Sequence, residues 1–308
     1  MIRCIANPSS RSGRGKRLWP GWRQGLRDEG MSFSWHETAS ASDCLEVADC
    51  GDKSVVAVGG DGTINLVLNG MLRSPRSHQA MGVLYSGTSP DFCRFHNIPV
   101  EPEKALCTLL RHTVRHVDLA RIRLRAGGEE IEALFASSCN IGFGADTARF
   151  ANHWRKYLGD ICGTLWGLVI AMLRHKPFAC SLQLDGEKHT FTDANHIVIL
   201  KNPYIASGLR LDCSLRPDDG FLLLVVIRGR SRWGLWKLLP ALYRGTLLKT
   251  EGVFSRICRQ ASIYCDSALE VEYDGDPQGF TPVNVSVVPG ILPLICEKGR
   301  EEGEVAHE

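Results

Sequence analysis

The chain has 308 residues, a formal net charge of +2, and 44% hydrophobic against 23% charged residues. A chain of this length can bury one large core or two smaller ones without disulfides or metals. Because 36 Lys and Arg nearly balance 34 Asp and Glu, the overall charge excludes a nucleic-acid-binding protein of the strongly basic type. The 12 cysteines include no C-x-x-C pair, which indicates reduced thiols in a cytoplasmic protein.

Short apolar runs alternate with helical patterns over the first 112 residues. The predicted strands are Ile2–Ala6, Ser32–His36, Ser54–Val58 and Ala80–Tyr85, and the predicted helices are Gly15–Arg27, Ser42–Cys50, Leu66–Leu72 and Glu103–His112. Such alternation is typical of βαβ units. It predicts an α/β domain with a mostly parallel sheet over residues 1–116.

From Val117 onward the pattern becomes strand after strand. The predicted strands are Asp118–Arg125, Glu132–Asn140, Ser181–Leu184, His196–Leu200, Phe221–Ile227, Ala261–Cys265, Leu269–Tyr273 and Val283–Val288, with helices at Asp146–Arg174 and Arg232–Leu248. This spacing predicts a β-rich antiparallel sandwich as a second domain over residues 117–308.

The buried run Val55–Val58 leads directly into the Gly-rich turn Gly59-Gly60-Asp61-Gly62-Thr63. Glycines allow close approach to phosphate oxygens, and the N–H groups at the start of a helix attract an anion. Because Asp61 alone would repel phosphate, it indicates a site for Mg²⁺ or for polar groups. The turn is neither a Walker A loop nor G-x-G-x-x-G, which disfavours a Rossmann dehydrogenase. A plain βα turn is the alternative.

The loop after the first strand, Asn7-Pro8-Ser9-Ser10, opens a basic segment. A Ser-rich turn before Arg11, Arg14, Lys16 and Arg17 suits a phosphate group. A solvated start of a basic helix is the alternative.

At Gly59-Gly60-Asp61-Gly62-Thr63-Ile64-Asn65 the chain resembles the diacylglycerol kinase catalytic-domain family, which includes bacterial lipid kinases and sphingosine kinases; NAD kinases share G-G-D-G. The segment Asn7–Gly13 resembles the family's N-P-x-S-G loop, and Tyr85–Arg94 is similar to its P-x-G-T-x-N-D-F-A-R segment, with Pro90 where Asn is usual. The resemblance implies a set of nucleotide-binding residues. They are Asn7, Ser9, Ser10, Gly59, Gly60, Asp61, Gly62, Thr63, Gly87, Thr88 and Asp276.

Two metal-related groups follow from the same resemblance. Asp61, Asp91 and Asp118 match positions that form a polar network, and three converging carboxylates suggest Mg²⁺. The segment Gly208–Phe221 resembles one whose D-G turn holds a structural metal in some bacterial members, here through Asp219 and the backbone of Arg216 and Phe221. A helix cap at Asp118 and an ordinary turn at Asp219 are the alternatives.

Near the C-terminus, Asp274-Gly275-Asp276 resembles the family's D-G-E hairpin. The resemblance implies that Asp274 is the general base that takes the proton of the lipid hydroxyl, with Asp61 as the second catalytic residue. Because a D-G pair is also a common hairpin signal, hairpin geometry alone is the alternative.

These features together predict an ATP- and Mg²⁺-dependent lipid kinase that transfers the γ-phosphoryl group to a lipid hydroxyl in lipid metabolism. The alternatives are an NAD kinase-like nucleotide kinase and a nucleotide-binding pseudokinase that lost turnover through Pro90. The D-F-C-R and D-G-D features favour the lipid kinase.

A lipid acceptor requires contact with a membrane, and we expect a cytoplasmic protein peripheral to the inner face of the membrane. The candidate segments are Trp154–Leu173 and Trp233–Lys237, the latter beside Arg228, Arg230 and Arg232. Both could be core helices. The identity of the lipid and the oligomeric state, including a homodimer, remain open.

Overall fold

The structure is a computed structural model that describes residues 1–49, 54–73, 79–205 and 208–297. The chain divides into two compact units, which we call unit 1 (Met1–Val117 with Gly290–Glu308) and unit 2 (Asp118–Pro289). The boundary at Val117 lies one residue from the expected one. The predicted second domain extended to residue 308, whereas the chain from Gly290 onward groups with unit 1, where Leu294 pairs in parallel with Met81.

Unit 1 alternates strands with helices. Its elements are β1 (Ile2–Ala6), a 3-10 turn (Arg14–Leu18), α1 (Trp19–Asp28), β2 (Phe33–Glu37), α2 (Ala41–Ala48), β3 (Ser54–Gly59), α3 (Asp61–Met71), β4 (Ala80–Tyr85), α4 (Asp91–Phe95) and α5 (Pro102–Arg111). The strand order is β2-β1-β3-β4, and each of these neighbouring pairs is parallel. The carboxyl ends of β1, β3 and β4 therefore point to one edge of the sheet.

The central strands of unit 1 are buried along their whole length. Every residue of β3 and β4 is buried, as expected for parallel strands that are covered on both faces. Helices α1 and α5 contribute Trp22, Leu26 and Leu109 to one core. The Trp22 indole also donates a hydrogen bond to the Pro102 carbonyl at 3.2 Å, so that its buried N–H has a partner.

Unit 2 is rich in strands. Its elements are β5 (Val114–Ala126, which begins in unit 1), β6 (Glu129–Phe135), β7 (Ser138–Gly142), α6 (Phe143–Arg174), β8 (Phe178–Leu184), β9 (Glu187–Leu200), β10 (Tyr204–Ile205), β11 (Leu209–Arg210), β12 (Leu222–Arg228), α7 (Arg232–Trp236), α8 (Leu239–Tyr243), a 3-10 turn (Leu247–Lys249), β13 (Val253–Cys258), β14 (Gln260–Cys265), β15 (Glu270–Tyr273) and β16 (Asp276–Ile295, which ends in unit 1).

The strands of unit 2 pair in antiparallel fashion, in the order β13-β12-β9-β7-β15-β16, with β8 between β9 and β14. Buried and accessible residues alternate along β8, the period of a strand with one face on the core. Its inward residue Leu182 joins Ile197 and Ile263 in the largest core of this unit. The α/β character of the first half and the β-rich antiparallel character of the second half are confirmed.

Helix α6 is interrupted at Gly159, where φ is 75° and ψ is 174°. Almost only glycine adopts this backbone conformation. Beyond the interruption Gly167 lies against the first half of the helix, because a Cβ at Gly167 would be 2.4 Å from the Ala151 nitrogen. The two halves of α6 therefore pack on each other.

Several elements differ from the sequence-based expectation. The predicted strand Glu132–Asn140 is divided into β6 and β7, β13 was not predicted, and α3 begins at Asp61 rather than at Leu66. The predicted helix Arg232–Leu248 is replaced by the short helices α7 and α8 and a 3-10 turn. None of the described helices combines the length and the hydrophobicity that a membrane-spanning segment needs, and the described cysteines are free thiols.

Candidate functional site

Three loops meet at the carboxyl edge of the sheet in unit 1. After β1, Asn7 donates through Nδ2 to Thr63 Oγ1 at 2.9 Å, and its Oδ1 accepts the Ser9 N–H at 2.9 Å. Ser10 donates through Oγ to the Ser86 carbonyl at 3.1 Å, and the Ser86 hydroxyl donates back to Ser10 Oγ at 3.2 Å. These bonds connect the loop after β1 to the turns that follow β3 and β4.

Glycine is required where the turns after β3 and β4 touch. A Cβ on Gly60 would lie 3.1 Å from the Gly87 Cα, and a Cβ on Gly87 would lie 2.6 Å from the Gly60 Cα. At Gly59 a Cβ would be 2.3 Å from Thr63 Oγ1. The backbones of the two turns therefore approach each other without intervening side chains, beside the N-terminus of α3. This arrangement is typical of a site that binds phosphate oxygens through backbone N–H groups.

Asp61, the first residue of α3, receives a hydrogen bond from the Tyr85 hydroxyl at 3.1 Å. Burial and the Asp61 carboxylate raise the pKa of Tyr85 far above its ordinary value, so the hydroxyl stays protonated and donates. Burial, and secondarily Asp61, also raise the pKa of the Cys93 thiol. The Asp61 carboxylate is thus held by a neutral donor.

Asp91 begins α4 and is 8% exposed. Its carboxylate accepts from the Ser89 hydroxyl at 3.1 Å and lies 3.4 Å from the Arg94 guanidinium. Pro90 is the N-cap residue of this helix, so the proline in place of the family's Asn still allows the helix to begin at Asp91. Thr88, the neighbouring predicted nucleotide ligand, is exposed.

The loop before α1 adds positive charge to unit 1. Arg11, Arg14, Lys16 and Arg17 are all exposed. The backbone turns sharply, because Arg11, Ser12 and Gly13 have φ values of 51°, 54° and 81°. Exposed cations on a loop tied to the glycine turns favour an anionic ligand.

In unit 2 the predicted base Asp274 occupies a left-handed turn, with φ 49°. Its carboxylate accepts three backbone N–H bonds, from Ala136 at 2.9 Å, Ser137 at 2.9 Å and Ser138 at 3.2 Å. These bonds separate β6 from β7 and explain the division of the predicted strand. Three such bonds hold the carboxylate in one orientation.

A second D-G turn of unit 2 has the same construction. Asp185, with φ 47°, accepts backbone N–H bonds from Arg259 at 3.0 Å and Gln260 at 2.8 Å. A left-handed Asp that binds the backbone of a neighbouring turn is therefore a structural device in this fold. Asp274 serves this structural purpose whatever its part in chemistry.

The strand before Asp274 joins the motif around Asn140. Glu272 is 4% exposed and accepts from Asn140 Nδ2 at 2.5 Å, and its other oxygen accepts the Gly275 N–H. The backbone register pairs Glu272 with Asn140 directly. The turn Asp274-Gly275 is thus fixed on both sides. The side chain of Asp276 lies outside the described part of the structure.

Asp118 is the first residue of unit 2, whereas Asp61 and Asp91 belong to unit 1. Its carboxylate accepts the Gly220 N–H at 2.7 Å and lies 3.2 Å from the Lys201 ammonium. The same ammonium is 2.8 Å from Asp219 Oδ1 and 2.8 Å from the Arg216 carbonyl. The expected structural-metal residues Arg216 and Asp219 therefore already surround a cation, and they do not fit a bound metal ion.

The residues of unit 1 fit Mg²⁺ only in company with a phosphate ligand. Among the described residues, no group of three or more His, Cys, Asp or Glu side chains could hold a metal ion. Mg²⁺ is commonly held by one or two carboxylates together with substrate phosphates and water. Asp61 and Asp91, at the first residues of α3 and α4, match that donor set.

The sequence motifs are thus brought together within each unit. Unit 1 joins the loops of Asn7, Ser10, Gly60 and Gly87, whereas unit 2 joins the Asn140 motif to the Asp274 turn. Sequence reasoning assigned no role to Tyr85, Glu272 or Lys201. A lysine that directly follows the apolar run Ile197–Leu200 was the available signal for the last of these.

The chain is thus a two-domain protein in which an α/β unit with glycine turns at the carboxyl edge of its sheet is followed by an antiparallel β unit, and ligands of open α/β sheets commonly bind at that edge. The profile of the "Diacylglycerol kinase catalytic domain" matches residues 1–122, and that of the "YegS C-terminal NAD kinase beta sandwich-like domain" matches residues 137–296. The chain therefore belongs to the family of proteins that combine a diacylglycerol kinase catalytic domain with a YegS C-terminal domain.

Its relatives agree with this assignment. "Probable lipid kinase YegS" of Salmonella arizonae is 26% identical over 277 residues, with 87% of each chain covered, and "Probable lipid kinase YegS-like" of Pseudomonas aeruginosa is 29% identical over 294 residues, with 91% of each covered. A crystal structure of a diacylglycerol kinase from Bacillus anthracis matches at a TM-score of 0.70 and 16% identity, covering 96% of each chain. At that identity the match supports the fold.

Proposed function

We propose that this protein is an ATP-dependent lipid kinase that transfers the γ-phosphoryl group to the hydroxyl of a diacylglycerol-like lipid. The observation that carries the proposal is the direct backbone contact of Gly60 with Gly87, beside the start of α3. Glycine at both positions lets the two turns pack together beside the start of a helix, where backbone N–H groups attract a ligand that carries phosphate groups. ATP phosphates are such a ligand.

The residues of unit 1 would hold the nucleotide. Backbone N–H groups of the glycine turns would bind phosphate oxygens, while Asn7, Ser9, Ser10 and Thr63 keep the loops together. Mg²⁺ carried with ATP would neutralise phosphate charge, and Asp61 with Asp91 would supply its protein oxygens. Phosphoryl transfer demands mainly positioning and charge stabilisation, which a fixed backbone cradle supplies.

The acceptor hydroxyl would be oriented by Asp274. Its carboxylate would accept a hydrogen bond from that hydroxyl and take the proton as the hydroxyl oxygen bonds to the γ-phosphorus. The bond from the γ-phosphorus to the bridging oxygen breaks, and ADP leaves. Participation of Asp118 in the Mg²⁺ network and of Asp276 in nucleotide binding belongs to this proposal.

Two observations favour turnover over a pseudokinase. Pro90 leaves Asp91 at the start of α4, hydrogen-bonded to Ser89. The Asp274 turn is held by hydrogen bonds on both sides. The features expected of an active enzyme are therefore kept in each unit.

Unit 2 also carries surfaces that suit a peripheral contact with the membrane. On α6, Tyr157, Leu165 and Trp166 are 71%, 58% and 48% exposed. The segment 228–260 contains eight Lys and Arg residues and only one acidic residue, Glu251. Exposed aromatics and local cations favour an anionic lipid surface, and they support the proposal that the enzyme works in the cytoplasm at the inner face of the membrane.

The test is transfer of labelled γ-phosphate from Mg·ATP to a panel of acceptors. The panel contains diacylglycerol, phosphatidylglycerol, a sphingoid base and a prenol in micelles, with NAD⁺ in solution. Labelled lipid that is absent with Asp61→Asn supports the proposal and identifies the acceptor. Labelled NADP⁺ would contradict the lipid-kinase proposal and identify a nucleotide kinase. ATP binding without transfer to any acceptor would also contradict it and identify a pseudokinase.

A further inference from the structure

Lys201 is the feature of unit 2 that the proposed function does not use. It follows the last residue of β9 and has no exposed surface, which is unusual for lysine. Its ammonium lies 2.8 Å from the Arg216 carbonyl, 2.8 Å from Asp219 Oδ1 and 3.2 Å from Asp118 Oδ2. Three oxygens match the three donors of an ammonium group.

The acceptors around Lys201 are themselves fixed by backbone N–H groups. Asp219 accepts from Phe221 at 3.0 Å and from Arg216 at 2.7 Å, and Asp118 accepts from Gly220 at 2.7 Å. The Asp118 N–H in turn donates to the Pro217 carbonyl at 2.7 Å. The turn Arg216–Phe221 is therefore closed around the ammonium and joined to the start of β5.

The family resemblance places a structural metal at this turn, with the Asp219 carboxylate and the carbonyls of Arg216 and Phe221 as ligands. A divalent ion binds such oxygens at about 2.0–2.6 Å. Two of these three residues, Arg216 and Asp219, each place an oxygen 2.8 Å from the Lys201 ammonium. A metal on the same oxygens would lie against a positive charge at close range, where repulsion is strong.

We propose that Lys201 replaces the structural metal ion in this chain. The ammonium supplies the positive charge that the buried carboxylates of Asp118 and Asp219 require, and the backbone N–H groups stabilise the remaining negative charge. The turn is consequently held in place by a covalently attached cation, and its folding does not depend on the supply of divalent metal. This inference does not rest on the proposed kinase activity.

The first measurement uses the unmodified protein without nucleotide. Its melting temperature is recorded in EDTA and then in excess Mg²⁺, Ca²⁺ or Mn²⁺. We expect less than about 1 °C of change, whereas filling a vacant structural site to a hundred times its Kd would raise the melting temperature by roughly 5–10 °C. A fall on chelation that any of these ions restores would overturn the proposal.

The second measurement uses Lys201→Ala, which opens the position of the ammonium to a hydrated ion. We expect a melting temperature lower by more than about 5 °C in EDTA, with partial recovery in one of the divalent ions. The matched control is Lys249→Ala, because Lys249 pairs with Asp212 at 2.6 Å on the surface, with side chains 74% and 61% exposed. The control should lose little stability and gain no metal dependence.

Two results with Lys201→Ala would contradict the proposal: stability equal to that of the unmodified protein in EDTA, or no recovery in any of the three ions. If the variant does not fold in EDTA, its yield of folded protein on refolding with and without each ion gives the same comparison. The melting temperatures of the unmodified protein in EDTA and in excess divalent ion test the proposal even if the variant does not fold.

Discussion

Individual side chains in this molecule combine structural and chemical tasks. Tyr85 donates to Asp61, and burial keeps its hydroxyl protonated. Asp274 accepts three backbone N–H bonds and is also the proposed general base. A substitution at such a residue therefore changes stability and activity together, and only a matched control separates the two.

Asp185 provides that control for Asp274. We predict that Asp274→Asn and Asp185→Asn each lower the free energy of unfolding by about 1–2 kcal/mol, because each amide presents an N–H group to backbone donors. Only Asp274→Asn should also lower kcat, by roughly 100-fold or more, because a general base is lost. Urea unfolding and the transfer assay measure the two effects. Equal activity of the two variants would exclude Asp274 as the base.

His196 makes stability depend on pH. Burial lowers its pKa to about 4, the Ile141 carbonyl raises it and His175 lowers it further. Because the unfolded chain binds the proton more tightly, this contribution to stability is complete above about pH 6.5 and is lost as the pH falls toward 4. Through this histidine, the free energy of unfolding should be lower at pH 5 than at pH 7 by about 2 kcal/mol.

The check is urea unfolding of the unmodified protein and of His196→Gln at both pH values. The pH dependence should be smaller in His196→Gln by that amount and unchanged in the control His153→Gln, whose histidine is exposed. An identical pH dependence in all three proteins would mean that His196 titrates normally.

At the scale of elements, close backbone contacts fix the helices. Gly167 lets the two halves of α6 approach each other, and a Cβ there would be 2.4 Å from the Ala151 nitrogen. We predict that Gly167→Ala lowers the free energy of unfolding by about 1–3 kcal/mol through overpacking.

The control for Gly167 is Gly21→Ala in α1, where a Cβ would meet no heavy atom within 4 Å. That substitution should raise the free energy of unfolding by about 0.5–1 kcal/mol, because alanine favours a helix more than glycine does. Thermal unfolding compares the two variants. A Gly167→Ala variant with the same free energy of unfolding as the unmodified protein would mean that the halves of α6 separate easily.

The sequence predicted most of the elements because their hydrophobic periods are local. β3 and β4 read as buried runs, and β8 was predicted as one of a series of short strands. The predicted start of α3 was too late, because Asp61 and Gly62 are poor helix formers. They occupy the first turn of the helix as part of the candidate site. The division between β6 and β7 depends on Asp274, which is 136 residues away from Ser138, and no local pattern contains it.

The site shows the same limit. Motifs located Asn7, Gly60, Gly87 and Asp274, since each lies in a short segment with a recognisable turn. The partner of the Asp219 turn could not be found in this way, because Lys201 is 18 residues away and belongs to the end of a strand. A charge network that joins separate segments is visible only in the fold.

At the scale of the whole molecule, the proposal requires a protein that works at a lipid surface. We predict sedimentation with vesicles that contain anionic lipid and much less with neutral vesicles, decreasing as salt is raised. Tyr157→Ser should weaken binding. Tyr264→Ser, which changes a tyrosine on β14 that is 52% exposed, should not. Equal binding of both variants would exclude the α6 surface as the contact.

The central claim is that the backbone contact of Gly60 and Gly87 forms the ATP site of a lipid kinase. The most direct test is kcat/KM for ATP in lipid phosphorylation by Gly87→Ala, with Gly21→Ala as the control and circular dichroism to verify folding. A Cβ 2.6 Å from the Gly60 Cα should reduce kcat/KM by roughly 100-fold or more, since small displacements of positioning groups have effects of this size. Folded Gly87→Ala that phosphorylates lipid as fast as Gly21→Ala would contradict the account.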